Sequence, residues 1–159
     1  MQNLKLVNLT ILRLGDNQLG SSDLSVLSAL TKLTELNLQG NGMTDIAFLS
    51  DLTNLEVLWL HWGDTGNNSI TDISPLSGLT KLSTIHLDEN QIQEIFPLVL
   101  NRSLQGENTY IDLTGNPLSF TSNSCYIPQL RERGVNLEGG GKPHIGLGGN
   151  PLNEVSIND

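Results

Sequence analysis

One pattern of leucines recurs along most of this chain. It is clearest between Leu30 and Asp51, where LTKLTELNLQGNGMTDIAFLSD carries apolar residues in a spacing that fits neither one long helix nor one long strand. Further copies start at Leu6, Leu52 and Leu79, so that successive copies lie 24, 22 and 27 residues apart. A looser copy, TYIDLTGNPL, runs from 109 to 118. Because the copies keep nearly the same length, we interpret each as one turn of a coil that stacks on the next.

The copies share the consensus L-x-x-L-x-L-x-x-N, which at periods of about 20 to 29 residues is typical of leucine-rich repeats. Over roughly its first four fifths the chain resembles the leucine-rich repeat family, and NGMTDIAFL and NSITDISPL are most similar to its 22-residue class, which includes bacterial internalins. The resemblance implies an α/β solenoid with a parallel sheet on its concave face and short 3₁₀ turns on its convex face. It also implies a bacterial interaction protein, often secreted or surface-attached, although the sequence itself does not indicate a location.

The x-L-x-L-x segment of each copy predicts a short strand with inward leucines, because alternate residues of a strand face opposite sides. Strands that recur once per turn in one direction must pair in parallel. Pro75 and Pro97 favour short return turns, since proline disrupts the interior of a long helix. We therefore predict five repeat strands in residues 1–118, a C-terminal cap in 119–137 and a Gly-rich tail in 138–159.

The predicted cap contains a short helix from Ile127 to Arg133, with Pro128 near its start and Gly134 just past its end. Residues 135–137 could return as a strand. The segment resembles the C-terminal cap of bacterial repeat arrays, which implies a buried face made of Tyr126, Ile127 and Leu130. We expect Cys125 to be a small buried residue beside them. Because it is the single cysteine of the chain, an internal disulfide is excluded.

Both ends of the chain carry weaker signals. Residues 1–5 (MQNLK) enter the first repeat with no polar capping segment, although solenoids need terminal caps. We therefore expect that the array is cut from a longer one, or that its N-terminal edge is covered by a partner or by a second copy of the chain. In the tail, the GNPL of 149–152 repeats that of 115–118, an incomplete copy of the cap motif, and Gly141-Lys142 lacks the other residues of a phosphate loop.

An asparagine follows each predicted strand. These residues are Asn17, Asn41, Asn68, Asn90 and Asn116. Their side chains can bond backbone groups of neighbouring turns that the short strands leave unpaired, so we assign them a structural role.

The third repeat carries an insertion. Between Leu60 and Asn68 lie the seven residues HWGDTGN, where the second repeat has only Gln39 and Gly40. The five additional residues are predicted to bulge at the rim of the sheet, where Gly63 and Gly66 permit sharp turns.

The residues that flank the inward leucines face the concave surface in three columns. The first column is Ile11, Glu35, Val57, Thr84 and Tyr110; the central column is Arg13, Asn37, Trp59, His86 and Asp112; the third column is Gly15, Gln39, His61, Asp88 and Thr114. The candidate partner-binding residues are Arg13, Asn37, Trp59, His61, Trp62, His86, Asp88, Tyr110 and Asp112.

The centre of this surface combines aromatic and polar side chains. Neighbouring strands lie about 4.8 Å apart, so Trp59 should stand beside His86, and His61 beside Asp88, with Trp62 of the insertion close by. Exposed aromatic residues beside polar ones are the usual composition of a binding hot spot. The alternative is that concave positions vary freely and that the grouping is chance.

Two sharper hypotheses concern the same residues. His61, His86 and Asp88 have side chains that suit zinc, but rigid parallel strands rarely converge three ligands on one point and a structural site usually has a fourth, so the sequence predicts no metal or cofactor. His86 beside Asp112 could act as a base with its orienting group. However, the columns offer only threonines as nucleophiles and imply no walled pocket, so the sequence predicts that the protein is not an enzyme.

The net charge of −9 argues against binding to nucleic acid or to anionic membranes, which need a basic patch. No apolar run approaches the roughly 18 residues of a membrane-spanning helix, so we expect no membrane insertion. Asp45, Asp72 and Glu94 on the return segments are interpreted as a solvated edge. The predicted function is binding of a protein partner of basic or mixed charge; the alternatives are a structural spacer in a larger protein and a carbohydrate-binding surface module.

Overall fold

The computed structural model describes residues 6–64 and 66–139. The predictions made for residues 1–5 and for the tail from 140 onward, including the second GNPL, lie outside the described residues.

Six short strands of the described chain form one parallel sheet in sequence order. They are β1 (Ile11–Arg13), β2 (Glu35–Asn37), β3 (Val57–Trp59), β4 (Thr84–His86), β5 (Tyr110–Asp112) and β6 (Asn136–Glu138). The first five strands lie where the leucine pattern predicts them. The sixth belongs to the cap segment, begins one residue later than expected, and extends the sheet beyond the repeats.

The return segments lie on the opposite side of the solenoid from the sheet. The 3₁₀ turns span Leu19–Ser21, Ser25–Ala29, Ala47–Asp51 and Ser74–Gly78. The fourth repeat differs, because its return is the five-residue α-helix α1 (Phe96–Leu100) where a 3₁₀ turn is predicted. Pro97 is compatible with this helix because it lies in the first turn, where the missing N–H has no helical partner to lose.

Aspartates begin several of these returns. Asp45 Oδ1 accepts a hydrogen bond from the N–H of Ala47 at 2.8 Å, and Asp72 Oδ1 accepts one from Ser74 at 2.8 Å. Asp23 makes the same contact with Ser25 at 2.9 Å. Hydrogen bonding from the Ser25 side chain, followed by this bond from its backbone N–H, lowers the pKa of the Asp23 carboxyl group. The acidic edge is exposed as predicted, and it also satisfies N–H groups that the start of a turn leaves free.

The core is a column of leucine and isoleucine between the sheet and the returns. Leu36, Leu58, Ile85 and Ile111 stand opposite one another in the strand register, and each is 0 % exposed. Burial of one such side chain contributes about 1.5–3 kcal/mol. Because every turn repeats this contact, the core fixes the stacking of the turns and therefore the position of every concave residue.

The asparagines join consecutive turns through hydrogen bonds. Asn68 Nδ2 donates to the carbonyl oxygens of Leu38 at 3.1 Å and Leu60 at 2.9 Å, while its Oδ1 accepts from the N–H groups of Asn41 at 3.2 Å and Met43 at 2.9 Å. Asn41, Asn90 and Asn116 make equivalent contacts with two turns each. Asn17 is exposed and its amide donates only within its own turn among the described residues. The predicted side-chain contacts with a neighbouring turn are thus present for Asn41, Asn68, Asn90 and Asn116, whereas the Asn17 amide shows none among the described residues.

The C-terminal cap combines a π-helical turn, Ser122–Tyr126, with the helix α2 (Ile127–Glu132). Ile127 and Leu130 are 1 % and 0 % exposed and Tyr126 packs on the core, as the sequence predicts. The prediction for Cys125 is wrong, because its side chain is exposed. The wide π-helical turn directs Ser122 and Tyr126 toward the core, so that Cys125 lies on the outer side.

No helix in the described ranges is both long enough and apolar enough to cross a bilayer.

Candidate binding surface on the concave sheet

The strand register assembles the predicted columns. In the central column, Arg13 pairs with Asn37, Asn37 with Trp59, Trp59 with His86, and His86 with Asp112. Ile11, Glu35, Val57, Thr84 and Tyr110 form the first column in the same way. These side chains are half-buried or exposed while the leucines between them are mostly buried. Residues up to 99 positions apart, Arg13 and Asp112, therefore share one face.

Several polar side chains in the N-terminal third of this face are paired with one another. Arg13 Nη2 lies 2.6 Å from Glu35 Oε1, and its side chain is 67 % exposed. Asn37 Oδ1 accepts from the N–H of Gln39 at 3.0 Å, and Gln39 Nε2 donates to Asp16 Oδ2 at 3.3 Å. An exposed ion pair of this kind contributes only about 0–1 kcal/mol. Arg13 and Asn37 therefore lie at one end of the candidate surface, where they contact Glu35 and Gln39.

Four rings meet in the middle of the sheet. The ring of His86 stacks on Trp59, with centroids 6.1 Å apart and planes inclined by 13°. The same imidazole contacts His61 at 5.4 Å and Tyr110 at 5.2 Å, both in tilted arrangements. These separations fall in the range in which aromatic pairs attract one another. His86 is thus the centre of a continuous ring cluster, defined here as Trp59, His61, His86 and Tyr110.

Trp62 opens the insertion and directly follows His61 of the ring cluster in the chain. Gly63 and Gly66 close the loop by two reciprocal backbone hydrogen bonds of 3.1 and 3.3 Å. Gly66 has a φ of 143°, which favours glycine. Gly63 is buried, because the loop lies against Gly40 of the preceding turn: a Cβ at Gly63 would stand 2.7 Å from the Cα of Gly40. Trp62 is consequently held at the surface with 54 % of its area exposed.

His61, His86 and Asp88 lie close together on this face. One potential ligand atom from each side chain lies within 4.8 Å of the other two, and all three residues are half-buried. These atoms are therefore neighbours, and the expectation that parallel strands rarely converge three ligands on one point stays a prediction. In addition, Nδ1 of His61 is screened from solvent and has no hydrogen-bond partner in the described part of the chain.

Burial and neighbouring charges shift three pKa values on this face. Burial, followed by the proximity of His61, lowers the pKa of His86, against the opposing effect of Asp88, Asp112 and Glu138. Burial and the charge of Asp112 raise the pKa of the Asp88 carboxyl group. Burial together with Asp112 and Glu138 raises the pKa of Tyr110 to about 12, and its hydroxyl donates a long hydrogen bond of 3.5 Å to Asp112. The C-terminal half of the face therefore concentrates carboxylates around the rings.

Glu138 is a residue of this face that sequence reasoning missed. It lies on β6 opposite Asp112 and extends the central column by one position. The prediction placed the last strand at 135–137 and assigned Glu138 to the tail. The signal was present in the alternation Asn136-Leu137-Glu138, because Leu137 occupies the inward position that a repeat leucine occupies in the other strands.

Comparison with known proteins agrees with this architecture. Family models for leucine-rich repeats match residues 31–67, as two copies, and residues 5–28, as one. Together with the six stacked parallel strands, these matches define the class: the chain belongs to the leucine-rich repeat proteins. No curated protein sequence matches it significantly.

Among solved structures, the chain is similar to bacterial internalins and to one other leucine-rich repeat protein. The internalin inlF of Listeria monocytogenes is 31 % identical, with a TM-score of 0.68, over 84 % of this chain and 35 % of its own. Internalin C2 of the same species is also 31 % identical, with a TM-score of 0.60, over 76 % of this chain and 50 % of its own. A leucine-rich repeat protein of Leptospira interrogans shares the fold at 24 % identity and a TM-score of 0.61, over 84 % of this chain and 38 % of its own. The chain thus spans half or less of the length of these bacterial proteins.

Proposed function

We propose that this chain is a protein-interaction module that binds its partner on the concave face of the sheet, centred on Trp59, His61, Trp62, His86 and Asp88. The observation that carries this proposal is the ring cluster around His86. Large rings beside polar groups supply most of the binding energy in many interfaces. Leucine-rich repeat proteins as a class bind other proteins, which agrees with this assignment.

The fold also supports the proposal by holding the ring cluster in place before a partner arrives. Trp59, His86 and Tyr110 project from paired strands whose alternate residues form the buried core. A side chain that is already ordered loses less conformational entropy on binding, and this loss is about 0.5–1.5 kcal/mol for each mobile side chain. The concave surface is therefore a pre-organised site.

The charges favour a particular kind of partner. Asp88, Asp112 and Glu138 surround the rings, and the whole chain carries a net charge of −9. A basic or mixed-charge protein surface is complementary to this face, whereas nucleic acid would be repelled by it. Arg13, at the far end of the column, is paired with Glu35 and adds little net positive charge.

The test is capture of a partner by the purified chain from an extract of the cell or host that provides it, followed by identification of the partner and measurement of its affinity. We expect Trp59→Ala combined with Trp62→Ala to abolish capture. Phe120→Ala is the matched control, because Phe120 is 69 % exposed and lies in the cap, away from the ring cluster. Equal capture by all three proteins would place the binding site elsewhere.

A second function has one observation in its favour. Trp62 is 54 % exposed, and Trp59 is half-buried on a face with many polar groups, an arrangement that can stack on sugar rings. A glycan array probed with the wild type and the same variants separates the two functions. Glycan binding that depends on the tryptophans, in the absence of protein capture, would replace the protein-binding proposal; no binding in either assay would favour the structural spacer.

A further inference from the structure

We propose that His61, His86 and Asp88 form a binding site for one divalent transition metal ion with the ligand preferences of Zn²⁺. This inference is independent of the partner-binding proposal, because it concerns an ion held by this chain alone. It rests on the donor set, on the backbone positions of the three residues and on an unsatisfied nitrogen of His61.

The donor set selects the class of ion. Two imidazoles and one carboxylate are ligands that zinc takes together in proteins, often with water in the fourth position. Imidazole suits zinc, copper and nickel, whereas calcium and magnesium prefer sites made of oxygen atoms alone. A site with these three side chains should therefore discriminate against Ca²⁺ and Mg²⁺.

The strand register places the three residues beside one another, where the paired strands β3 and β4 end. His86 lies at the end of β4 and Asp88 follows it by two residues on the same face, while His61 follows β3 by the same distance. Their potential ligand atoms lie within 4.8 Å of one another. Tetrahedral ligands about 2.0–2.1 Å from zinc lie about 3.3 Å apart, so side-chain rotation has to close a gap of only about 1.5 Å.

The side chain of His61 has a nitrogen atom whose hydrogen-bonding capacity is not used. Its Nδ1 atom is closed off from water and has no hydrogen-bond partner among the described residues. A buried polar atom without a partner costs about 1–3 kcal/mol, and such atoms are rare in native structures. An ion bound by the three side chains offers this imidazole an interaction that the protein alone does not supply.

The surrounding charge is also suited to a cation. Asp112 stands opposite His86 in the register, and Glu138 follows it on the next strand. Apart from the histidines, the basic residue in the three concave columns is Arg13, which is paired with Glu35 on the far side of the sheet. A divalent ion at His61, His86 and Asp88 would therefore be attracted by acidic neighbours and would meet no adjacent positive side chain within these columns.

The experiment is a calorimetric titration of the chelator-treated full chain with Zn²⁺, and we expect one ion per chain at this site. His61→Gln, His86→Gln and Asp88→Asn should each weaken its binding about tenfold or more. His144→Gln and Cys125→Ser remove the other histidine and the exposed thiol, and they should leave the affinity unchanged. Circular dichroism checks that each variant retains the fold.

A second readout separates a built site from loose association. Co²⁺ bound to the wild type should show the visible absorption of a tetrahedral complex, and this spectrum should be lost in the His86→Gln variant while Ca²⁺ and Mg²⁺ give no calorimetric signal. The proposal is overturned if the wild type does not bind Zn²⁺, if the three site variants bind it as tightly as the wild type, or if His144→Gln or Cys125→Ser abolishes binding.

Discussion

The imidazole of His86 stacks on the indole of Trp59 at a centroid distance of 6.1 Å, although 26 residues separate the two positions in the chain. This contact exists because one complete turn of the solenoid, including the insertion, lies between them, so that they become neighbours on adjacent strands. The same stacking that buries Leu58 against Ile85 thus places two side chains of the candidate surface in contact. Stability of the core and geometry of the candidate site are consequently linked.

Leu58→Ala should lower the free energy of unfolding by about 2–5 kcal/mol, because it leaves a cavity in a fully buried column. Leu58 is 0 % exposed, whereas Leu100 on α1 is 51 % exposed and provides a matched control for the same substitution. Urea denaturation followed by circular dichroism measures both. A loss at Leu100→Ala as large as at Leu58→Ala would contradict the assignment of the core.

Asn68→Ala should lower the free energy of unfolding by about 2–4 kcal/mol, because it leaves buried backbone groups of two turns without partners. Asn68 is 1 % exposed and takes part in four hydrogen bonds to backbone atoms. Asn17→Ala is the control, since that side chain is exposed. We expect its cost to be about 1 kcal/mol or less by the same denaturation assay. An equal loss of unfolding free energy at both positions would count against the structural role of the asparagines that join consecutive turns.

Gly63→Ala should disturb the inserted loop, because the new methyl group would stand 2.7 Å from the Cα of Gly40. Such crowding costs about 1–3 kcal/mol and should also displace Trp62, which is next to it in the chain. Urea denaturation and the emission of the tryptophans measure the two effects. Gly78→Ala is the control, since a methyl group there meets nothing within 4 Å. Unchanged emission and stability in Gly63→Ala would show that the loop does not pack on Gly40.

Tyr110 should make the protein less stable at high pH. Its pKa in the folded state is raised to about 12 by burial and by Asp112 and Glu138, whereas an unfolded tyrosine has a pKa of about 10. The unfolded state therefore loses its proton first, so this contribution to stability is fully present below pH 10 and is lost as the pH rises to about 12. Asp112→Asn should move the pKa of Tyr110 downward, because it removes one of the neighbouring negative charges.

Ultraviolet difference titration of the phenolate band measures this pKa. Comparison of the wild type with Tyr110→Phe assigns the high-pH component to Tyr110, and the unfolding free energy of both proteins can be followed over the same pH range. Titration of Tyr110 near pH 10 in the wild type would show that the carboxylates and burial do not act on it as the structure indicates.

Much of the candidate surface could be predicted from the sequence. The leucine period fixes the length of a turn, and the strand alternation fixes which residues face outward, so the neighbours of Trp59 and His86 follow from counting. Glu138 was missed because the cap has no leucine-rich consensus, although its strand pairs with β5. Cys125 was misplaced because the sequence does not reveal the π-helical turn that turns it outward.

The sequence by itself determined the solenoid, its parallel sheet and the order of the concave columns, because these depend on a repeat of apolar residues whose burial is the main driving force of folding. Only the tertiary structure decided that ligand atoms of His61, His86 and Asp88 come within 4.8 Å of one another, that Nδ1 of His61 lacks a partner among the described residues, and that the insertion packs on Gly40. These features depend on side-chain rotamers and on contacts between turns, where differences of about an ångström determine which atoms meet. A pattern of residue types carries no information at that scale, whereas packing of one turn against the next does.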